Sequence, residues 1–188
     1  MATKTISAAP FSFIGLLVGF FVPLALIIAI AADGFWTFNV NPLSDLGVST
    51  NVFAANLFNY TCIIAGILVA IFGIGKLWVC KGYNSAVGFL IAVGGVMLVG
   101  IGLFTELYSA HLFFAYTYFF IMFVTIVASI VGDGMADRKL PASISAVLLV
   151  IALGSLVGFT VPGAEVICSI CLSGWLIVQS IDLAFAKH

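Results

Sequence analysis

Glu106 and His111 stand five residues apart between two long apolar runs, and the stretch Asn41-Pro42-Leu43-Ser44-Asp45-Leu46-Gly47 precedes a third. An imidazole close to carboxylates is compatible with three chemistries. His111 can act as general base or acid, with Glu106 orienting it and Ser44 as a nucleophile. His111, Glu106 and Asp45 can together hold a divalent metal that activates water. Asp45, Asn59, Glu106 and His111 can instead bind a small polar molecule, a cation or a lipid headgroup, because ionisable groups at membrane depth are costly and tend to mark functional sites. One useful histidine is too few for a multi-histidine hydrolase or a bis-histidine haem site, since the other, His188, is the terminal residue. No residue pattern names a cofactor.

Whether these groups meet depends on the elements that carry them. The chain has 188 residues, of which 64% are hydrophobic and only 7% charged. Soluble domains run at roughly 45–50% apolar and about 25% charged. So few charges cannot cover a soluble surface, so the bilayer is the solvent and must be crossed by helices or a closed barrel. The apolar runs are continuous and about twenty residues long, which suits helices crossing a core of about 30 Å and excludes the alternation of barrel strands. The reading is an all-α, polytopic integral membrane protein, a single domain over 1–188. Its six transmembrane helices form one compact bundle at about 11–32, 52–75, 85–104, 111–131, 142–160 and 164–184. All six cationic side chains, Lys4, Lys76, Lys81, Arg138, Lys139 and Lys187, then fall on one side. The positive-inside rule makes that side cytoplasmic, with both termini there, in a multi-pass cell-membrane protein. The first run is too long for a signal peptide and reads as a retained helix. A net charge of −1 suggests no nucleic-acid partner. Membrane lipids are the expected neighbours, and a homo-oligomer or a larger membrane complex is left open.

The outer side then carries Asp33, Asp45, Glu106 and Glu165 without a Lys or Arg, and His111 is the one side chain there able to carry positive charge at ordinary pH. Asn41 reads as an N-cap, Pro42 as a first helical residue and Gly47 as the exit of a short helical turn. Leu43 and Leu46 would lie against the bundle and turn Ser44 or Asp45 toward the mouth. Asn56 and Asn59 are expected to face the bundle interior, because buried amides need partners. The glycosylation pattern Asn59-Tyr60-Thr61 lies in a predicted membrane helix and is discounted. On the cytoplasmic side, Lys76 is read in a short basic loop, Asp133 and Asp137 as solvated loop residues, and Asp182 as facing water, Lys187 or an inner polar site.

Helix 3 carries Gly88, Gly95 and Gly102 on one stripe, read as a helix contact or as a groove for a flat ligand or lipid chain. Gly15/Gly19 and Gly154/Gly158 are G-x-x-x-G pairs, and Pro23 should kink helix 1. The aromatics from Phe113 to Phe123 read as packing or interfacial anchoring, or as a surface for a cofactor or sterol. Cys62, Cys168 and Cys171 fall within helices and Cys80 in a loop, where packing is the expected role.

The Asn41–Gly47 run, the Asn-rich start of helix 2, the glycine-rich helix 3 and the Gly102…Glu106…His111 passage into an aromatic helix 4 resemble the six-helix membrane family known as domain of unknown function 998. The resemblance covers roughly Phe11 to Ala184. It implies a six-helix bundle of archaeal or bacterial type, singles out Ser44, Gly47, Asn59, Glu106 and His111, and implies no activity.

The favoured expectation is a polar, acidic outer-face site for a small polar molecule, cation or lipid headgroup, in a binding or transport-like protein. Transport is disfavoured by the scarcity of interior polar groups and by the lack of helices broken in matching halves. The alternatives are a membrane-embedded hydrolase-type enzyme acting on lipid or extracytoplasmic substrate, and a structural or accessory subunit without chemistry.

Overall fold

The computed structural model describes residues 7–185; Lys4, Lys187 and His188 lie outside the described residues. Six α-helices follow one another: α1 (Ala9–Asp33), α2 (Val52–Val79), α3 (Tyr83–Leu103), α4 (Ala110–Met135), α5 (Lys139–Gly158) and α6 (Val161–Phe185), with a 3-10 turn (Leu43–Val48) between α1 and α2. Each helix is long and apolar enough to cross a membrane. Each packs on the next, and α6 returns to α1, so the bundle is a closed ring in chain order. One end of the ring gathers Asp33, Asp45, Glu106, His111 and Glu165. The other gathers Lys76, Lys81, Arg138 and Lys139. They are called the acidic and basic ends below.

Glycines set the closest seam. A Cβ on Gly66 would lie 2.7 Å from the Gly95 carbonyl, and one on Gly95 would lie 2.6 Å from the Gly66 carbonyl. Gly73 and Gly88 repeat the reciprocal approach one heptad along, at 2.6 and 2.8 Å. Real Cβ atoms do not come this close, so α2 and α3 pack backbone to backbone, which lipid rewards because association there depends on close contact. The α3 stripe is thus a helix contact, and no ligand groove remains along it. Gly15 and Gly19 of α1 instead make room for the side chains of Ser180 and Ile177 of α6, whereas Gly154 and Gly158 on α5 have nothing within 4 Å.

Two helices run further than hydropathy suggests, and this changes the basic end. α2 continues to Val79, so Lys76 is helical and fully buried instead of lying in a loop. α4 continues to Met135, so Asp133 is also fully buried and not solvated. The Lys76 ammonium donates to Gln179 Oε1, and Gln179 Nε2 donates to Asp133 Oδ2 at 3.1 Å. Asp133 Oδ1 accepts from Arg138 at 2.6 Å, and Arg138 also pairs with Asp182. Asp182 thus takes part in an inner polar site, half-buried against Arg138. Asp137 alone of these acids is exposed, 3.4 Å from Lys139. Buried charges persist where they pair and hydrogen-bond one another, and this chain of contacts ties α2, α4 and α6 together across the ring. Above it, Val18, Val69, Phe72, Met122, Trp175 and Leu176 belong to one buried apolar cluster.

Candidate functional site

The acidic end is closed by a tethered lid. Gly34 leaves α1 at φ 77°, a left-handed exit suited to glycine. The Asp33 carboxylate then accepts from the backbone N–H groups of Phe35 (3.1 Å) and Trp36 (2.7 Å) and from the Ser49 hydroxyl. Trp36 Nε1 donates to the Pro42 carbonyl at 2.9 Å. Asn51 caps α2 by accepting from Phe53 and Ala54. The 3-10 turn starts one residue later than expected: Pro42 is its N-cap, and Asn41 instead accepts from Thr37 N and donates to Asp45 Oδ2 at 2.9 Å. Leu43 and Leu46 are buried beneath the turn as anticipated. Gly47 lies inside the turn. Its lack of a side chain matters because a Cβ would sit 2.6 Å from Asn59 Oδ1, while Asn59 Nδ2 donates to the Gly47 carbonyl at 2.9 Å. Asn59 thus holds the lid. Asn56 is exposed and does not face the interior.

Under the lid the polar groups converge. Ser44, itself buried, donates to Glu106 Oε1 at 2.5 Å. Glu165, in the first turns of α6, accepts from Leu43 N at 3.1 Å. His111 is 4% exposed and its Nδ1 lies 2.7 Å from the Phe104 carbonyl. A carbonyl only accepts, so Nδ1 must carry the hydrogen, which leaves Nε2 as the acceptor of the neutral ring. Glu106 is thus the partner of Ser44, and Phe104 the orienter of His111.

Two cavities share this polar group. One, of about 90 Å³, lies inside the ring and is lined by Ser44, Thr61, His111, Tyr118, Glu165 and Ser173 among apolar neighbours. The Thr61 hydroxyl, 3% exposed, has no hydrogen-bond partner. The other, of about 520 Å³, lies between α4, α5 and α6 and has Ser44, Glu106, His111 and Glu165 at one end. Ser44, His111 and Glu165 line both. Asp45 and Asn59 line neither. Asp45 is held by Asn41, so His111, Glu106 and Asp45 are not assembled as a ligand set, and among the described residues no three His, Cys, Asp or Glu side chains gather as metal ligands.

A family model described as "Protein of unknown function (DUF998)" matches residues 13–182. The chain belongs to the DUF998 family. No curated protein and no solved structure matches it. The matched stretch of this DUF998 chain includes the lid, Glu106, His111, Glu165 and the basic-end network up to Asp182.

Sequence places Glu165 among the outer acids but not among the site residues, and does not single out Thr61. Glu165 is recognisable as an acid at the outer end of helix 6, but nothing local links it to Leu43, 122 residues away. Thr61 carries no signal in a run of apolar residues beyond being a hydroxyl on the inner face of α2.

Proposed function

We propose that this protein binds, at an extracytoplasmic mouth, a small molecule or headgroup that donates hydrogen bonds or carries positive charge. The observation that carries this is the grouping of Glu106, Glu165 and His111 on the larger cavity, with no Lys or Arg at that end among the described residues. Carboxylates accept; a complementary ligand must supply N–H, O–H or cationic groups. Binding is favoured over conduction because the buried apolar cluster of Val69, Phe72, Met122 and Trp175 stands between this cluster and the Lys76–Asp133 network.

Sidedness belongs to the same proposal. Lys81 and Lys139 are exposed at the basic end, which the positive-inside rule assigns to the cytoplasm of a cell-membrane protein, with both termini there. An impermeant maleimide on intact cells should label Leu107→Cys and spare Lys81→Cys, and inverted vesicles should reverse the pattern. The opposite result would turn the protein over.

Binding is tested by thermal shift in detergent with ethylammonium and glycerol as probes and with acetate and phosphate as anionic controls. The cation or polyol should stabilise the wild type, and Glu106→Gln or His111→Ala should abolish the shift while the protein still folds. Equal stabilisation by the anions, or variants that lose only intrinsic stability, would refute the reading. The 2.5 Å Ser44–Glu106 bond favours one alternative, a hydrolase with Ser44 as nucleophile and Glu106 as its base. Ser44→Ala would then abolish ester turnover, whereas a binding site would retain its ligand.

A further inference from the structure

We infer that the ligand of this mouth is an amphiphile with an ammonium or hydroxyl head, whose hydrocarbon tail enters sideways between α4 and α5. The inference rests on the binding reading above and adds the class of molecule.

The larger cavity is polar at one end and apolar along the rest. Ser44, Glu106, His111 and Glu165 stand at the mouth, and the walls continue inward through Phe119, Met122, Ile126, Leu149, Leu153 and Leu172. A volume of about 520 Å³ falls within the roughly 300–1,000 Å³ of small-molecule sites. Its long axis follows α4. From His111 to Ile126 the helix rises about 22 Å, which exceeds half of an approximately 30 Å hydrocarbon core. A small hydrophilic solute would leave this apolar length unused.

The opening faces the bilayer. Leu112, Tyr116 and Phe123 on α4 and Leu153 and Leu156 on α5 line the cavity yet remain exposed on the surface of the bundle. Of the neighbouring helix pairs α4 and α5 meet least, and this seam forms a lateral slot. The lid is tied to α1, α2 and α6, so a tail can come from the lipid side without moving it. Charge then selects the head. The solvent-facing Glu106 carboxylate, with no Lys or Arg at that end among the described residues, disfavours carboxylate and phosphate heads and favours an ammonium or a hydroxyl.

The test uses the full chain in nanodiscs of zwitterionic lipid and hexadecylamine carrying a terminal diazirine. Label is expected on α4 around Ile126 and on α5 around Leu149, the deep end of the cavity. Unlabelled hexadecylamine and hexadecanol should compete, with hexadecanoate and butylamine weaker by about tenfold or more. Ala152→Phe, and independently Leu156→Trp should the first fail to fold, should remove the deep label. Glu106→Gln with Glu165→Gln should erase the preference of amine over carboxylate. Label scattered over other bilayer-facing residues such as Val157, or equal competition by hexadecanoate, overturns the inference. If butylamine matches hexadecylamine and still depends on Glu106, the tail site is wrong and the mouth reading survives. If no amine of any length competes, both fall.

Discussion

Replacing Asp133 by Asn removes one charge and almost no volume, which isolates the electrostatics of the basic end. In the wild type, Asp133 accepts from Arg138 through one oxygen and from Gln179 through the other, and Gln179 in turn accepts from Lys76. All of Lys76, Asp133 and Gln179 are fully buried. After the change, the amide presents a donor toward either the Arg138 guanidinium or the Gln179 amide, so one contact becomes donor against donor. The cluster is left with two cations, Lys76 and Arg138, against Asp182 alone. Breaking one partner out of a buried ionic network costs about 3–5 kcal/mol, because the remaining charge is not resolvated. Lys76→Met is gentler. It withdraws the ammonium, keeps the packing, and leaves Gln179 Oε1 without its donor at a cost of about 1–3 kcal/mol. In the double variant the excess positive charge is gone, so the two effects should fall short of additivity by about 1–3 kcal/mol. Reversible unfolding in bicelles, read as a four-state cycle, measures each value. An Asp133→Asn cost below about 1 kcal/mol, or strict additivity with Lys76→Met, would show that the groups are not coupled as drawn.

Other perturbations read other parts of the fold. Gly73→Val places a Cβ 2.6 Å from the Gly88 carbonyl and should cost about 1–3 kcal/mol or more by forcing α2 from α3, whereas Gly154→Val, with nothing within 4 Å, should stay within about 0.5 kcal/mol; equal effects in the same unfolding assay would remove the glycine seam. Asn51→Ala should cost about 1 kcal/mol by freeing two N–H groups at the start of α2, checked by unfolding and by faster hydrogen exchange at Phe53 and Ala54. Cys80 lies at the basic end just past α2, where burial pushes its thiol above the usual range. Its thiolate is scarce at neutral pH, so maleimide should modify it slowly in the folded protein and rapidly once unfolded, and fast native labelling would contradict its burial.

The number of helices, their order and the segregation of charge could be read from the sequence because hydropathy over twenty residues is a local property that the bilayer enforces. The helix ends at the basic end could not. A lysine after an apolar run ordinarily marks the water boundary, and Lys76 looks like such a mark. It stays inside only because Gln179, over a hundred residues later, meets its ammonium, and Asp133 stays inside because Arg138 and Gln179 meet its carboxylate. The same limit applies to the mouth. Ser44, Glu106 and His111 were singled out by type, and the structure brings Ser44 to Glu106 while turning His111 to a backbone carbonyl. Asp45, adjacent to Ser44, was equally attractive on paper. A 3-10 turn separates neighbours by about 120°, so when Ser44 faces the cavity Asp45 must face elsewhere, and Asn41 four residues back is placed to receive it.

That rotation bears on which chemistry the site can support. Seating Asp45 in the cavity would require the turn to rotate by about one residue, which would pull Leu46 out of its fully buried position and break the Asn59–Gly47 bond. The lid thus enforces a choice between an acid and a hydroxyl at the head of the cavity, and the two leucines decide for the hydroxyl. With its O–H given to Glu106, Ser44 offers the cavity its lone pairs, which accept from an N–H or an O–H alike. Such a group discriminates between an ammonium and an alcohol much less than a third carboxylate would. Tolerance of both head types, with rejection of anions, therefore follows from the register of a six-residue turn.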